Sequence, residues 1–128
     1  MAVVPRYQDL IAWQMADHFK AEVFRLLKAS PNAWSDFRYR SQLLSASTSV
    51  TANLVEGFRR FSPTEFPKFI DYSVASLGEA EQRLRDGIEL GYFKAEDCAS
   101  AFRFARRCLT ASLRLKHSQR KFLPKRRK

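Results

Sequence analysis

Residues 53–91, NLVEGFRRFSPTEFPKFIDYSVASLGEAEQRLRDGIELG, hold the signals that decide the fold of this chain. Ser62 and Pro63 are typical of the first residues of a helix, and the Glu65 carboxylate can reach back to the serine amide. Small or apolar residues then recur at helical spacing: Phe66, Phe69, Ile70, Ser73, Leu77, Ala80, Leu84 and Ile88. Gly91 supplies a left-handed residue that ends the helix. The stretch therefore predicts a helix end, a tight turn and a second long helix.

Three further helices follow from the same periodicity. Their predicted ranges are residues 7–29, 36–58 and 95–122, with a break at 30–35 that stops the first helix and Ser35 or Asp36 as a cap for the next. In the helix over 36–58, the small residues of the run SASTSVTA (45–52) let a neighbouring helix approach closely. Gly87 interrupts the helix that starts near Ser62, at a cost of about 1 kcal/mol relative to alanine. The sequence therefore predicts an all-α protein.

Composition narrows the class of protein. The 128 residues are 45% hydrophobic, with only four glycines and five prolines, which suits one helical domain. No apolar run approaches the roughly 20 residues that span a bilayer, and the amino terminus lacks the features of a signal peptide. We therefore expect a cytoplasmic protein that does not enter the membrane, with one domain over residues 1–122 and a basic, mobile tail over 123–128.

Cysteine and histidine positions argue against metal and redox chemistry. Cys98 and Cys108 stand ten residues apart on one predicted helix, about 15 Å, which is too far for a disulfide within that helix. We expect both to be free, half-buried thiols. His18 and His117 are isolated from each other and from any paired cysteine motif, so neither a zinc site nor a cofactor is predicted.

The polar pair Asn53 and Glu56 lies on a helix side shared with Gly57. If buried, both groups need partners, and Arg59 or Arg60 stands close enough to supply one. A single carboxylate without a second acid, a histidine or a metal set is weak evidence for catalysis. We interpret the pair as a polar clamp between helices and predict that the protein is not an enzyme.

A motif around this pair resembles a known family. The pattern N-x-x-E-G-x-x-R-x-S-x-x-E-F resembles the four-helix bundle proteins encoded in intervening sequences of bacterial 23S ribosomal RNA genes. In this chain the motif consists of Asn53, Glu56, Gly57, Arg60, Ser62, Glu65 and Phe66. Similar features follow at residues 75–79 and 90–92 and precede it at 7–10 with Trp13, so the resemblance covers most of residues 7–115.

The resemblance implies a fold and an assembly. It implies an up-down-up-down antiparallel four-helix bundle, and some family members form homopentameric rings. A related accessory protein of diversity-generating retroelements is a basic pentamer that binds nucleic acid and a reverse transcriptase. On this basis we expect a homo-oligomer, with a pentamer favoured, and a reverse transcriptase or other polymerase as a possible protein partner. The resemblance transfers no catalytic residue.

The net charge of +10 is concentrated at one end of the sequence. Residues 1–97 hold 12 Lys and Arg against 13 acidic residues, a net charge of −1, whereas residues 98–128 hold 11 Lys and Arg and no acid. At 100° per residue, the last helix carries an apolar side and an opposite basic stripe. Clustered guanidinium groups with no neighbouring acid suit phosphate. The candidate nucleic-acid contacts are Arg103, Arg106, Arg107, Arg114, His117, Arg120, Lys121, Lys125, Arg126, Arg127 and Lys128.

The expected ligand is structured RNA or duplex DNA, bound through phosphates with little sequence preference. Phe102, Phe104 and Phe122 of the last helix fall off the basic stripe, which argues against stacking on bases. The alternative function is an oligomeric scaffold that docks an acidic protein partner on the same helix. Binding to an anionic membrane surface is a weaker alternative, because only the tail is available and it has few apolar anchors.

Overall fold

The computed structural model describes residues 4–124, which form helices joined by turns, without a strand in that range. Its α-helices are α1 (Ile11–Ala29), α2 (Pro31–Ser35), α3 (Phe37–Arg59), α4 (Phe66–Glu89) and α5 (Ala99–Ser118). Short 3-10 turns precede α1 at Tyr7–Asp9 and flank α5 at Ala95–Cys98 and Gln119–Phe122. The all-α prediction is confirmed, and the four long helices match the predicted ranges closely.

One hydrophobic core lies between the four long helices. On α3, the buried residues include Leu43, Ala46, Val50, Leu54 and Gly57, which recur at helical spacing. On α4, Phe66, Ile70, Ser73, Leu77, Ala80 and Leu84 are buried as predicted. Burial of these apolar faces, at about 25 cal/mol per Å², supplies most of the driving force for folding.

Small residues bring α3 and α4 close together, as the run at 45–52 predicts. The Ser73 hydroxyl donates to the Val50 carbonyl at 2.7 Å, and the Ser49 and Ser76 hydroxyls are hydrogen-bonded at 2.9 Å. At Gly57, an added Cβ would lie 2.7 Å from the Phe69 Cβ. A side chain larger than hydrogen at residue 57 would therefore push the two helices apart.

The break predicted at residues 30–35 does separate α1 from α3, but it contains a short helix that was not predicted. Residues Pro31–Ser35 form the short helix α2. The Ser30 hydroxyl accepts from the Ala33 amide at 3.3 Å, and proline fits the first turn of a helix. The same residues that end α1 thus start α2, and Asp36 then caps α3 by accepting from the Tyr39 amide at 3.1 Å.

The start of α4 differs in detail from the capping box read in the sequence. The Ser62 hydroxyl accepts from the Glu65 amide at 3.1 Å as expected, but α4 begins at Phe66. The Glu65 carboxylate lies 4.0 Å from the Lys68 ammonium, and no bond from it back to Ser62 occurs among the described residues. Ser62 therefore caps the turn that leads into the helix.

Gly87 is not the weak point that its helix propensity suggests. An added Cβ would lie 2.6 Å from the Phe93 ring and closer still to the Tyr39 hydroxyl. The Tyr39 hydroxyl donates to the Arg83 carbonyl at 2.5 Å and is fixed there. Residue 87 is a glycine because α3 and the chain after α4 meet at this point. Gly91, at φ +78°, ends α4 as predicted.

The long helices contact one another in a closed cycle: α1 packs on α3 and α5, and α4 packs on α3 and α5. Between α3 and α4, Tyr39 meets Arg83 near one end and Gly57 meets Phe66 near the other. Between α4 and α5, the Lys116 ammonium donates to the Asp71 carboxylate at 2.7 Å. The carboxyl end of α5 therefore lies beside the amino end of α4.

Candidate nucleic-acid interface

Helix α5 is anchored by small buried side chains on its inner side. Ala101, Ala105, Cys108 and Ser112 are buried. The Cys108 thiol lies 3.5 Å from the Ala12 carbonyl of α1, and the His18 ring stacks on Phe104 with ring centroids 4.9 Å apart. These contacts fix the rotation of α5 about its axis, and with it the direction of every basic side chain.

The basic residues within the described range point away from this core. Exposed side chains belong to Arg103, Arg106, Arg107, Arg114, His117, Arg120 and Lys121, which we call the basic α5 surface. Within residues 4–124 none of these seven forms a salt bridge with an acid. Lys116, which lies off the predicted stripe, is instead paired with Asp71. The remaining predicted contacts, Lys125, Arg126, Arg127 and Lys128, lie outside the described residues.

Two acids border this surface. Burial raises the pKa of Glu81 on α4, whereas the guanidinium groups of Arg85 and Arg106 lower it. Asp9 lies on the side where Arg106, Arg107 and Arg114 line a groove. Within the described residues, neither acid forms a salt bridge with an arginine of the basic α5 surface.

An apolar groove borders the basic α5 surface, and no local sequence pattern predicts it, because its two sides come from α1 and α5. The groove has a volume of about 580 Å³ and runs between the amino end of α1 and the second half of α5. Ile11 and Met15 contribute to its apolar lining from α1, and Ile11 is 60% exposed. Arg106, Arg107 and Arg114 also line it, together with Asp9. These arginines therefore have apolar neighbours on one side.

The motif residues at the α3–α4 corner are arranged differently from the predicted clamp. Asn53 is half-buried and donates to the Ser49 carbonyl and hydroxyl of its own helix, each at 2.9 Å. Glu56 is exposed and pairs with Arg60 at 2.9 Å, so this ion pair stays at the end of α3 and does not reach α4. Near Asn53, the hydrogen bonds between α3 and α4 involve the short side chains of Ser49 and Ser73, which stand at the helix–helix contact.

Both cysteines are free and buried. Burial raises the pKa of each thiol to about 11, so both remain protonated near neutral pH. Within residues 4–124, no group of three or more His, Cys, Asp and Glu side chains is arranged to hold a metal ion. No helix in that range is long and apolar enough to cross a membrane.

The described residues thus belong to an all-α protein whose last long helix is basic and contains no acidic residue. A family model described as 23S rRNA-intervening sequence protein matches residues 8–111. The match covers most of the chain, so the protein belongs to the 23S rRNA-intervening sequence protein family. The resemblance seen in the motif at residues 53–66 is therefore confirmed. No curated protein sequence gives a significant match.

The residues matched by the family model include only part of the basic α5 surface. Arg103, Arg106 and Arg107 lie inside it, whereas Arg114, Lys121 and the basic residues near the carboxyl end lie beyond Ala111. The placement of Arg114 therefore rests on α5 of this chain, which continues through Ser118, and not on the family match.

Proposed function

We propose that this protein is a non-enzymatic, oligomeric nucleic-acid-binding protein whose basic α5 surface contacts phosphates with little sequence preference. The observation that carries the proposal is the set of seven exposed basic side chains on a helix with no acid after Asp97. Guanidinium groups in this arrangement can each hold two phosphate oxygens. The family name, which refers to intervening sequences of 23S rRNA, is compatible with nucleic acid but does not identify the ligand.

We further propose that the four long helices form an up-down-up-down antiparallel bundle. The contacts of Tyr39 with Arg83 and of Gly57 with Phe66 support opposite directions for α3 and α4. The contacts of Ala12 with Cys108 and of Arg25 with the Asp97 carbonyl support the same for α1 and α5. In this arrangement the basic α5 surface is one outer side of the bundle.

Charge reversal on α5 tests the proposal directly. In the triple variant Arg103→Glu, Arg107→Glu and Arg114→Glu, we expect an intact fold and loss of affinity for an RNA hairpin and a DNA duplex, measured by fluorescence anisotropy. Wild-type affinity should fall by orders of magnitude between roughly 50 and 200 mM salt if six or more phosphates are contacted.

The matched control makes the same change in net charge elsewhere. Lys28→Glu, Arg38→Glu and Lys94→Glu alter three exposed cations on α1, α3 and the turn before α5. These substitutions should weaken binding far less than the α5 triple variant. Equal losses from both triple variants would mean that net charge, and not the basic α5 surface, governs binding. An absence of binding by the wild type at low salt would refute the proposal.

A second candidate function is a scaffold that docks an acidic protein, such as a polymerase or reverse transcriptase. The apolar groove favours it, because phosphate contacts need no apolar floor, whereas an acidic amphipathic segment could use both the floor and its arginines. The double variant Ile11→Ser and Met15→Gln separates the two functions. If the groove docks a protein, this variant loses a partner retained after nuclease treatment but keeps its affinity for RNA.

A further inference from the structure

Phe61 combines high exposure with an unusual backbone conformation. Its side chain is 71% exposed, and its φ of +50° lies in the left-handed region. The residue follows the end of α3, where the Phe61 amide donates to the Phe58 carbonyl at 3.3 Å. Glycine is the common residue at such a helix end, and bulky side chains are rare there. The backbone of this turn would therefore be less strained with glycine than with phenylalanine at residue 61.

Two exposed arginines precede Phe61 in the chain, and each lies over an aromatic ring. The Arg59 guanidinium lies 5.7 Å from the Tyr7 ring centroid, and the Arg60 guanidinium lies 5.0 Å from that of Phe69. Arg60 also pairs with Glu56 at 2.9 Å, whereas Arg59 forms no salt bridge within residues 4–124. The inner side of Phe61 meets Phe58, with ring centroids 6.2 Å apart, and the rest of the ring is open to solvent.

This corner lies next to the carboxyl end of the basic α5 surface. A shallow recess is lined by Pro63 and Pro67 from the corner and by His117 and Arg120 from the region of α5. Phe61 is two residues from Pro63, a distance of at most about 7 Å along the chain. A ligand lying along the basic α5 surface would therefore reach Phe61 as it leaves the helix.

We propose that Phe61 stacks on an unpaired base at the point where a single strand leaves a duplex. In this inference, which rests on the proposed function, duplex phosphates follow the basic α5 surface and Arg59 and Arg60 contact the strand beside the stacked base. One ring accommodates one base face, so the preferred ligand is a duplex with a single-stranded extension. Phe61 lies outside the last helix, whose own phenylalanines fall off the basic stripe.

The surroundings of the ring favour a base over a protein partner. Aromatic residues that anchor protein interfaces usually stand in a desolvated, mostly apolar patch. Around Phe61, the chain neighbours Arg59, Arg60 and Ser62 are polar, and both arginines are exposed. An aromatic face beside cations is the arrangement that single-stranded nucleic acid uses, with the base on the ring and the phosphates on the cations.

Phe61→Gly removes the ring and relieves the left-handed backbone, so it separates binding from folding. We expect its Tm to equal or exceed that of the wild type. Its affinity for an RNA hairpin with a short unpaired 3′ extension should fall at least about fivefold, the lower range for stacking on one base. Affinity for the blunt hairpin should stay unchanged, and Phe61→Trp should restore affinity for the extended hairpin. Phe37→Ala, at an equally exposed phenylalanine on α3, is the control and should bind as the wild type does.

An abasic extension supplies the second half of the test, because it keeps the phosphates and removes the bases. It should weaken wild-type binding by the same factor as Phe61→Gly and should not weaken the variant further. Equal affinity of wild type and Phe61→Gly for the extended hairpin would overturn stacking while leaving the proposed function intact, provided that the wild type binds the blunt hairpin. Loss of self-association in Phe61→Gly, with unchanged RNA affinity, would identify the ring as a protein contact and also overturn the inference.

Discussion

Two glycines of α4 differ in whether the helix can accept a Cβ atom at their positions. Gly78 is exposed, and an added Cβ there meets nothing within 4 Å. Gly87 is buried against Tyr39 and Phe93, where an added Cβ overlaps both side chains. The helix propensity of alanine favours both substitutions by the same amount, so the difference between them measures packing alone.

We expect Gly87→Ala to destabilise the fold by about 1–3 kcal/mol, because overpacking outweighs the gain in helix propensity. Gly78→Ala should stabilise it by up to about 1 kcal/mol. Urea unfolding of both variants, followed by circular dichroism, measures the two free energies. Similar effects at both positions would show that Tyr39 and Phe93 move aside without cost.

At the scale of elements, Asp36 joins three parts of the chain. It caps α3 through the Tyr39 amide and accepts from the Tyr92 hydroxyl at 2.5 Å, which ties the segment after α4 to the start of α3. The hydrogen bond from Tyr92, followed by that from the Tyr39 amide, lowers the pKa of the Asp36 carboxyl below its ordinary 3.8. Both bonds favour the ionised form.

This shift predicts the direction of a pH effect. Because the folded-state pKa lies below the unfolded one, Asp36 stabilises the fold at pH values above 3.8, and this contribution is lost as the pH falls through the folded-state pKa. Asp36→Asn keeps a capping oxygen and removes the charge. We expect the variant to be less stable than the wild type at neutral pH and to approach it in acid. Denaturant unfolding across this range checks the prediction, and a stability difference that does not change with pH would contradict it.

At the scale of the whole molecule, the positive charge is concentrated in the last quarter of the chain. Residues 1–97 carry a net charge of −1, and the excess lies in residues 98–128. In the described range, this excess stands on the outer side of α5, where its attraction extends about 10 Å into solvent at 0.1 M salt before the salt screens it. A ring of five chains would carry a charge of about +50, which would strengthen attraction to a polyanion.

Self-association is the corresponding prediction. Large apolar side chains such as Tyr72 and Leu90 are more than half exposed, which leaves apolar surface for contacts between copies. We expect light scattering to give a mass five times that of one chain, and the α5 triple charge variant to give the same mass. A single-chain mass at every concentration would contradict the proposed oligomer.

Much of the fold follows from local sequence, and particular residues show why. The apolar spacing from Phe66 to Leu84 predicts the buried face of α4, because a helix places every third or fourth residue on one side. Gly91 ends α4, and Asp36 caps α3 through the Tyr39 amide three residues on, so both of these signals are local. The outward direction of Arg103 and Arg114 follows from the same helical period once the opposite side of α5 is recognised as apolar.

Other features depend on residues far apart in sequence. The need for glycine at 87 comes from Tyr39 and Phe93, and the groove beside α5 comes from Ile11 and Met15 of α1. The four long helices and the charged side of α5 could thus be predicted from the sequence, because both depend on the repeat of a single helix. The surfaces beside the arginines and the surroundings of Phe61 could not, because packing between helices sets those distances.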